Sequence, residues 1–104
     1  MASDKSYLDY IMDQFSGLEG VSYRAMMGEY IIYVNGKTVG GIYDNRFLVK
    51  PVLPAVQLMP DAPREVPYPG AKEMLLVTDP DNRELMEKLL TAVSAVLPEP
   101  KPRK

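Results

Sequence analysis

The distribution of proline constrains this chain more than any other feature of its sequence. All ten prolines lie after residue 50, and six of them fall between residues 51 and 70. Proline lacks a backbone N–H and clashes with the preceding helical turn, so helix interiors and central strands avoid it. The first fifty residues are therefore free to form uninterrupted helix and strand. Residues 51–70 should run irregularly over the surface, apart from one short helix at 54–59 that begins near Pro54.

An amphipathic helix is predicted over residues 3–15. Ser3 is positioned to be its N-cap, and Gly17 and Gly20 mark its exit. The apolar residues recur at helical spacing and form one stripe, which should face the core. The residues of this stripe are Tyr7, Leu8, Ile11, Met12 and Phe15.

Four short strands are predicted next, joined by tight turns into an antiparallel meander. Asn35-Gly36 is the strongest two-residue hairpin signal, because both residues tolerate a positive φ. Gly40-Gly41 lies inside the third strand and indicates a bulge or a close approach of backbones. The four strands are 21–27, 30–34, 37–43 and 46–50.

The C-terminal part predicts one more strand and a long helix. An extended edge segment is expected at 66–68, and EMLLVT at 73–78 is typical of a strand. Asp79 as N-cap and Pro80 at the first helical position predict a helix that ends before Pro98. The resulting order is α-β-β-β-β-(short α)-β-α.

This order predicts a two-layer α+β domain over residues 1–97, with helices packed on an antiparallel sheet of about five strands. Residues 98–104 are expected to be a disordered tail rich in proline and lysine. The segment YIIYV at 30–34 is apolar or aromatic on both alternating faces, whereas a sheet covered on one side alternates apolar with polar residues. We therefore expect the second face of the sheet to be covered as well, by the proline-rich loop, by curvature or by a partner.

No segment resembles a membrane span or an export signal. The longest apolar runs are far shorter than the roughly 20 residues that cross a bilayer. The N-terminal MASDKSYLDY is polar where a secretory signal has an apolar core. The chain has no cysteine either. We expect a cytoplasmic protein without membrane contact.

The charge of the chain argues against binding to duplex DNA. The formal net charge is −2, and the last seven residues contribute three basic and one acidic side chain. The rest of the chain has 9 basic and 13 acidic residues and therefore a net charge of −4. A duplex-DNA binder needs a basic face that displaces counterions from the phosphates.

The sequence offers no recognisable catalytic or metal-binding set. Histidine and cysteine are both absent, which excludes Ser-His-Asp catalysis, thiolate nucleophiles and metal sites built on those residues. Residues 79–82 read DPDN, yet they lack the glycine and the closing glutamate of a calcium loop. The glycines at 39–41 lead into neither a Lys-Ser/Thr pair nor a helix, so they do not make a phosphate loop. We expect no enzyme activity, no cofactor and no metal.

Tyrosine is the distinctive residue class, with seven copies against two phenylalanines and no tryptophan. A tyrosine joins an apolar ring to a polar tip, which suits half-buried positions and interfaces. The tyrosines either fill the boundary between helices and sheet, or some of them form a contact surface. The residues predicted for such a surface are Arg24, Tyr30, Tyr33 and Lys50.

The two charged candidates each have a structural alternative. Arg24 lies in an otherwise apolar strand, where a charge needs a partner. It either forms a salt bridge with Glu29 or Asp44 or it captures a ligand. Lys50 ends the fourth strand just before a proline, and it is either a solvated strand end or part of the contact surface.

Several short motifs follow one another in a specific order along most of the chain. They are Arg-x-Met-x-Gly, a strand with tyrosine, an Asn-Gly turn, a strand that closes at aspartate, and Leu-x-Lys. Together with VPYPG at 66–70, they resemble the N-terminal domain of the TfoX/Sxy family of bacterial competence regulators over residues 7–97. The matching residues are Arg24, Met26, Gly28, Tyr33, Asn35, Gly36, Asp44, Leu48 and Lys50.

The resemblance implies an α+β fold with a curved antiparallel sheet, similar to type III secretion chaperones and to the YjbR group of proposed DNA-binding proteins. It also implies a role in the transcriptional control of DNA uptake through protein contacts, without catalytic residues. The chain departs from the family at 26–29, where it has MMGE in place of Met-Phe-Gly-Gly. Longer family members continue into a helical C-terminal domain that these 104 residues do not include.

The main hypothesis is a cytoplasmic, non-enzymatic interaction module that binds another protein in transcriptional control, as a monomer or a homodimer. Direct DNA binding of the YjbR type is one alternative. A small-molecule sensor that uses the space between the sheet and the proline-rich loop is another.

Overall fold

The computed structural model describes residues 3–98, which form an antiparallel sheet of six strands with three helices. The predicted α+β class and the order of the main elements are confirmed, and one two-residue strand is added. Residues 99–104, most of the predicted tail, lie outside the described residues. The elements are α1 (Lys5–Gln14), β1 (Val21–Met26), β2 (Glu29–Val34), β3 (Lys37–Ile42), β4 (Phe47–Val49), α2 (Leu53–Leu58), β5 (Arg64–Glu65), β6 (Met74–Leu76) and α3 (Arg83–Val96).

The strand order in the sheet is β1-β2-β3-β4-β6-β5. The first four strands form the predicted meander, because each pairs with the next one along the chain. β6 then adds to the far side of β4, and the short β5 closes that side of the sheet. β1 is therefore the first edge of the sheet, and within residues 3–98 it pairs with no strand other than β2.

The larger hydrophobic core lies between the sheet and the helices, on what we call the helix face. α3 lies over β2 and β3, and it packs against α1 and α2. Removing a large apolar side chain from water contributes about 1.5–3 kcal/mol, so this layer provides most of the stabilisation. Its fully buried members include Leu8, Ile11, Phe15, Ile32, Ile42, Phe47, Met86, Leu89, Leu90 and Val93.

A smaller apolar cluster lies on the opposite side of the sheet, which we call the outer face. Ile31, Tyr43 and Leu48 are buried there, and Tyr33, Met74 and Leu76 pack around them. Both faces of β2 therefore carry buried side chains, as the alternation in YIIYV predicted.

Gly40 and Gly41 provide the close backbone approach that the sequence indicated. A Cβ atom on Gly40 would lie 2.2 Å from the carbonyl oxygen of Leu48, in the neighbouring strand. A Cβ on Gly41 would lie 2.6 Å from the ring of Tyr43. The register between β2 and β3 also shifts at Ile32, opposite Gly40, so the predicted irregularity is present.

The start of α1 differs from the prediction. Asp4, not Ser3, occupies the N-cap position, and it makes no side-chain capping hydrogen bond. The hydroxyl of Ser3 instead donates to Glu29 Oε1 at 2.6 Å and accepts from the backbone N–H of Asn45 at 3.0 Å. The Ser3 side chain, which was expected to cap the helix, therefore bonds to residues that are distant in sequence.

The start of α3 is also later than predicted. Asn82 is the N-cap, and its side chain accepts from the backbone N–H of Leu85 at 3.1 Å. Asp79 and Pro80 form a turn instead, in which the N–H of Asn82 donates to the carbonyl of Asp79. A proline fits the second position of such a turn as well as the first position of a helix.

The edge segment also lies earlier than predicted. The strand at this edge is Arg64–Glu65 rather than 66–68. Pro67 is buried and has no N–H to donate, which disfavours pairing at 66–68.

The helices within residues 3–98 are each too short or too polar to cross a membrane.

We predict that Gly40→Ala lowers the free energy of unfolding by about 2 kcal/mol or more, because the added methyl meets backbone that cannot move without breaking strand pairing. Gly17→Ala is the matched control. Its Cβ would meet only the carboxylate of Glu87, the mobile end of a side chain. Urea denaturation of both variants measures the difference, and equal losses would contradict the close approach of β3 and β4.

Candidate docking surface

The structure brings two of the four predicted contact residues together on the outer face. Residues directly paired in neighbouring strands share a face, and Arg24 pairs with Ile31 while Ser22 pairs with Tyr33. Because side chains alternate along a strand, Arg24 and Tyr33 both point to the outer face.

Tyr30 lies on the opposite side. It pairs with Ala25 and Ile42, packs against the larger core, and meets the ring of Tyr23 edge-on at 5.9 Å. Tyr33 lies three residues further along β2. Because three is an odd number, strand alternation places the two tyrosines on opposite faces of the sheet. Tyr30 accordingly belongs to the helix–sheet boundary and not to a surface shared with Tyr33.

Arg24 has neither of the salt bridges considered from the sequence. It is exposed on the edge strand, and within residues 3–98 it forms no ion pair with Glu29 or Asp44. Glu29 instead accepts from Ser3 and from the backbone N–H of Asp44. The strand looked apolar in sequence, but Arg24 lies in water and needs no partner.

Lys50 borders an open cleft of about 610 Å³ between the outer face and the loop that follows β5. Tyr43 and Tyr68 line this cleft with ring centroids 6.1 Å apart, and Lys72 lies on the same rim. Within the described part of the chain, the side-chain amine of neither lysine forms an ion pair or a hydrogen bond. Glu65, the residue just before this loop, forms an ion pair with Arg46 at 2.6 Å, which holds the start of the loop to the sheet.

Three exposed apolar side chains at one end of the sheet were not among the predicted contact residues. Met26, Met27 and Tyr68 are 51%, 96% and 57% exposed. Together with Glu29 and Tyr43 they line one groove of about 370 Å³ at the end of the sheet. We call this groove and the adjoining side chains of Arg24 and Tyr33 the docking surface.

Met27 was assigned to the first strand, but it is the first residue of a two-residue turn. Its φ is 53° and that of Gly28 is 85°, a left-handed pair that normally carries Asn-Gly. A methionine in this conformation costs about 1 kcal/mol. Gly28 signals a turn because glycine accepts the left-handed conformation, but the methionine before it gives no signal of its own.

The end of the sheet beside Met27 is held by polar contacts. Besides its bond to Ser3, Glu29 accepts the backbone N–H of Asp44 through both carboxylate oxygens, at 3.2 and 3.1 Å. The side-chain amide of Asn45 accepts from the backbone N–H of Asp4 at 2.9 Å and donates to the carboxylate of Asp4 at 3.2 Å. These contacts fix the two neighbouring turns relative to α1, so the groove is preorganised.

One titratable group of this region, Tyr43, has a shifted pKa. Between residues 3 and 98, no three acidic side chains converge as metal ligands. Burial raises the pKa of Tyr43 above the ordinary value, and the nearby Tyr68, Glu29 and Tyr33 act in the same direction. A tyrosine that holds its proton more tightly is a hydrogen-bond donor at neutral pH and not a base.

The raised pKa of Tyr43 makes a pH-dependent contribution to stability. The folded chain holds this proton more tightly than the unfolded chain, so the contribution is complete below about pH 10 and is lost as the pH rises through the raised pKa. Tyr43→Phe should therefore lose less unfolding free energy than the parent chain between about pH 9 and 11. Urea denaturation at several pH values measures both slopes, and parallel slopes would contradict the burial of this hydroxyl.

Comparison with known proteins gives one informative relative. The uncharacterised 12.7 kDa protein in the trpE 5′ region of Spirochaeta aurantia is 38% identical over 105 residues, which covers 100% of this chain and 91% of the relative. No protein-family model matches the chain, and no solved structure matches it.

Proposed function

Because the chain belongs to the same family as the 12.7 kDa protein of Spirochaeta aurantia, we propose one function for both: a non-enzymatic module that binds another protein through the docking surface. The proposed setting is the cytoplasm, and the proposed process is transcriptional control. The motif resemblance to the TfoX/Sxy N-terminal domain supports that setting.

The exposed methionine pair at the β1–β2 turn is the observation that carries the proposal. Methionine and tyrosine are enriched in interface cores, and the flexible thioether adapts to different partner shapes. Met27 is 96% exposed, so its side chain contributes almost nothing to the fold. A strained backbone that presents an apolar side chain to water is stable only because the surroundings impose it, and such strain concentrates at functional sites.

The substitution Met27→Asn separates stability from binding. Asparagine accepts the left-handed conformation, so the variant should gain about 0.5–1 kcal/mol of unfolding free energy. It should also lose at least tenfold in affinity for the partner, because the exposed side chain is removed. Thr91→Asn, on the exposed side of α3, is the control for a polar substitution elsewhere.

The partner is identified by site-specific crosslinking. A photoreactive phenylalanine analogue at position 27 or 33 should capture the same protein from a lysate of the source organism, and the analogue at position 91 should not. Affinities of the purified pair then test the Met27→Asn variant. A more stable variant that binds as tightly as the parent chain would overturn the proposal.

A second candidate function, a small-molecule sensor, is favoured by the cleft beside Lys50. Its volume of about 610 Å³ lies within the 300–1,000 Å³ typical of ligand pockets. The two tyrosine rings offer stacking surfaces, and the two lysines, Lys50 and Lys72, outnumber the one acidic lining residue, Glu73. This combination fits an aromatic compound that carries a carboxylate or phosphate.

The sensor function predicts ligand-dependent stabilisation, because a ligand that binds only the folded state raises the melting temperature by mass action. Salicylate and indole-3-carboxylate are suitable first probes. A shift with either probe should shrink in Lys50→Ala and in Lys72→Ala, and it should persist in Lys88→Ala on α3. If neither probe shifts the melting temperature, this candidate is abandoned for that ligand class.

A further inference from the structure

Among residues 3–98, no strand pairs with the free edge of β1. Five of its six residues are exposed, it pairs with β2 without a register shift, and it contains no proline and only one charged residue, Arg24. Natural edge strands are usually shortened, bulged, charged or covered, because their free N–H and C=O groups pair with other strands. The opposite edge follows this rule, since β5 has only two residues.

The turn geometry shows which backbone groups of β1 are free. In a hairpin with a two-residue loop, the residues that flank the loop form a hydrogen-bonded pair, here Met26 with Glu29. Alternation then directs Ser22 and Arg24 toward β2. The N–H of Asn35 donates to the carbonyl of Gly20 at 2.9 Å, which agrees with this parity. The N–H and C=O groups of Val21, Tyr23 and Ala25 consequently point away from the sheet.

We propose that β1 pairs antiparallel with β1 of a second copy of this chain and joins the two sheets into one. The two-fold axis passes beside Tyr23, so that Tyr23 faces Tyr23 of the second copy. Val21 then faces Ala25 on both sides of the axis, and Ser22 faces Arg24. This inference concerns the edge of the sheet and does not depend on the proposed function.

The register follows from the free groups and from charge. Residues whose N–H and C=O groups point outward must face one another, so one strand can slide past the other only in steps of two residues. Each such step moves the two-fold axis by one residue. Only the register centred on Tyr23 pairs all three of Val21, Tyr23 and Ala25. A shift centred on Arg24 places two arginines directly opposite each other, and like charges in that position are destabilising. A shift centred on Ser22 leaves Ala25 outside the ladder.

The side chains of β1 complement their own sequence on both faces. On the helix face, Val21, Tyr23 and Ala25 would meet the same three residues in reverse order, which extends the apolar layer. Tyr23 is 44% exposed in the single chain and lies edge-on to Tyr30, so pairing covers a ring that is half in water. On the outer face, the hydroxyl oxygen of Ser22 can accept a hydrogen bond from the guanidinium of Arg24. A second copy therefore satisfies both faces as well as the backbone.

Charge substitutions at Ser22 test the register in the purified chain by sedimentation equilibrium. Ser22→Glu places a carboxylate opposite Arg24 twice per dimer, so it should tighten the dimer about fivefold. Ser22→Arg should weaken it by a similar factor, and the double variant Ser22→Arg with Arg24→Glu should restore it. Thr91→Glu and Thr91→Arg change the same charges on α3 and should leave dimerisation unchanged.

The substitution Ala25→Pro tests the backbone ladder separately. It removes an N–H that points outward, so no hydrogen bond to β2 is lost and the strand geometry is retained. We expect a chain with the parent's circular dichroism spectrum that stays monomeric at every concentration. Circular dichroism distinguishes a folded monomer from an unfolded chain. If the variant unfolds, the Ser22 variants alone test the inference.

Two outcomes would overturn the inference. One is a parent chain that stays monomeric up to millimolar concentration, and the other is a dimer that responds to Ser22 substitutions no more than to Thr91 substitutions. Because these measurements use the purified chain alone, they stand apart from the crosslinking to a partner. Dimerisation without a captured partner would contradict only the proposed function. Capture of a partner by a monomeric chain would contradict only the pairing of β1.

Discussion

The adjacent glycines at the centre of the sheet, Gly40 and Gly41, are the constraint on which the rest of the structure depends. The first lets β4 approach β3 to a distance that no Cβ would permit, and the second receives the ring of Tyr43. Tyr43 then covers the middle of the outer face together with Leu48. The sheet is consequently filled on both sides at its centre, and its exposed apolar surface is confined to the hairpin of β1 and β2 and to the loop around Tyr68.

Much of the fold could be predicted from local signals. The Asn35-Gly36 turn, the helical stripes and the two-sided apolar pattern of β2 each determine structure within a few residues. The errors occurred where a distant group decided the outcome. Ser3 could not be excluded as an N-cap from the sequence, because its competitor, Glu29, is 26 residues away. The Asp79-Pro80 pair suits a turn and a helix start equally well, and only the Asn82 cap distinguishes them.

The candidate site was less predictable than the fold. Alternation assigns Tyr30 and Tyr33 to opposite faces, but it does not say which face the helices cover. Arg24 seemed to need a partner because its strand is apolar, yet edge position, which depends on the whole topology, leaves it in water. Met27 was missed because methionine is rare at positive φ, so the pattern predicted a strand where the chain turns. Residues that break a local rule are the ones that local rules cannot find.

The central claim is that the chain acts by docking a protein on the surface around Met26 and Met27. The most direct test is methyl NMR of the methionine-labelled chain at one fixed concentration, first in buffer and then in lysate of the source organism. The methionines report on different regions: Met26 and Met27 on the docking surface, Met86 in the buried core beneath the helices. The account predicts that the signals of Met26 and Met27 shift or broaden in lysate while that of Met86 stays in place. Unchanged signals from Met26 and Met27, or changes confined to methionines outside the docking surface, would contradict it.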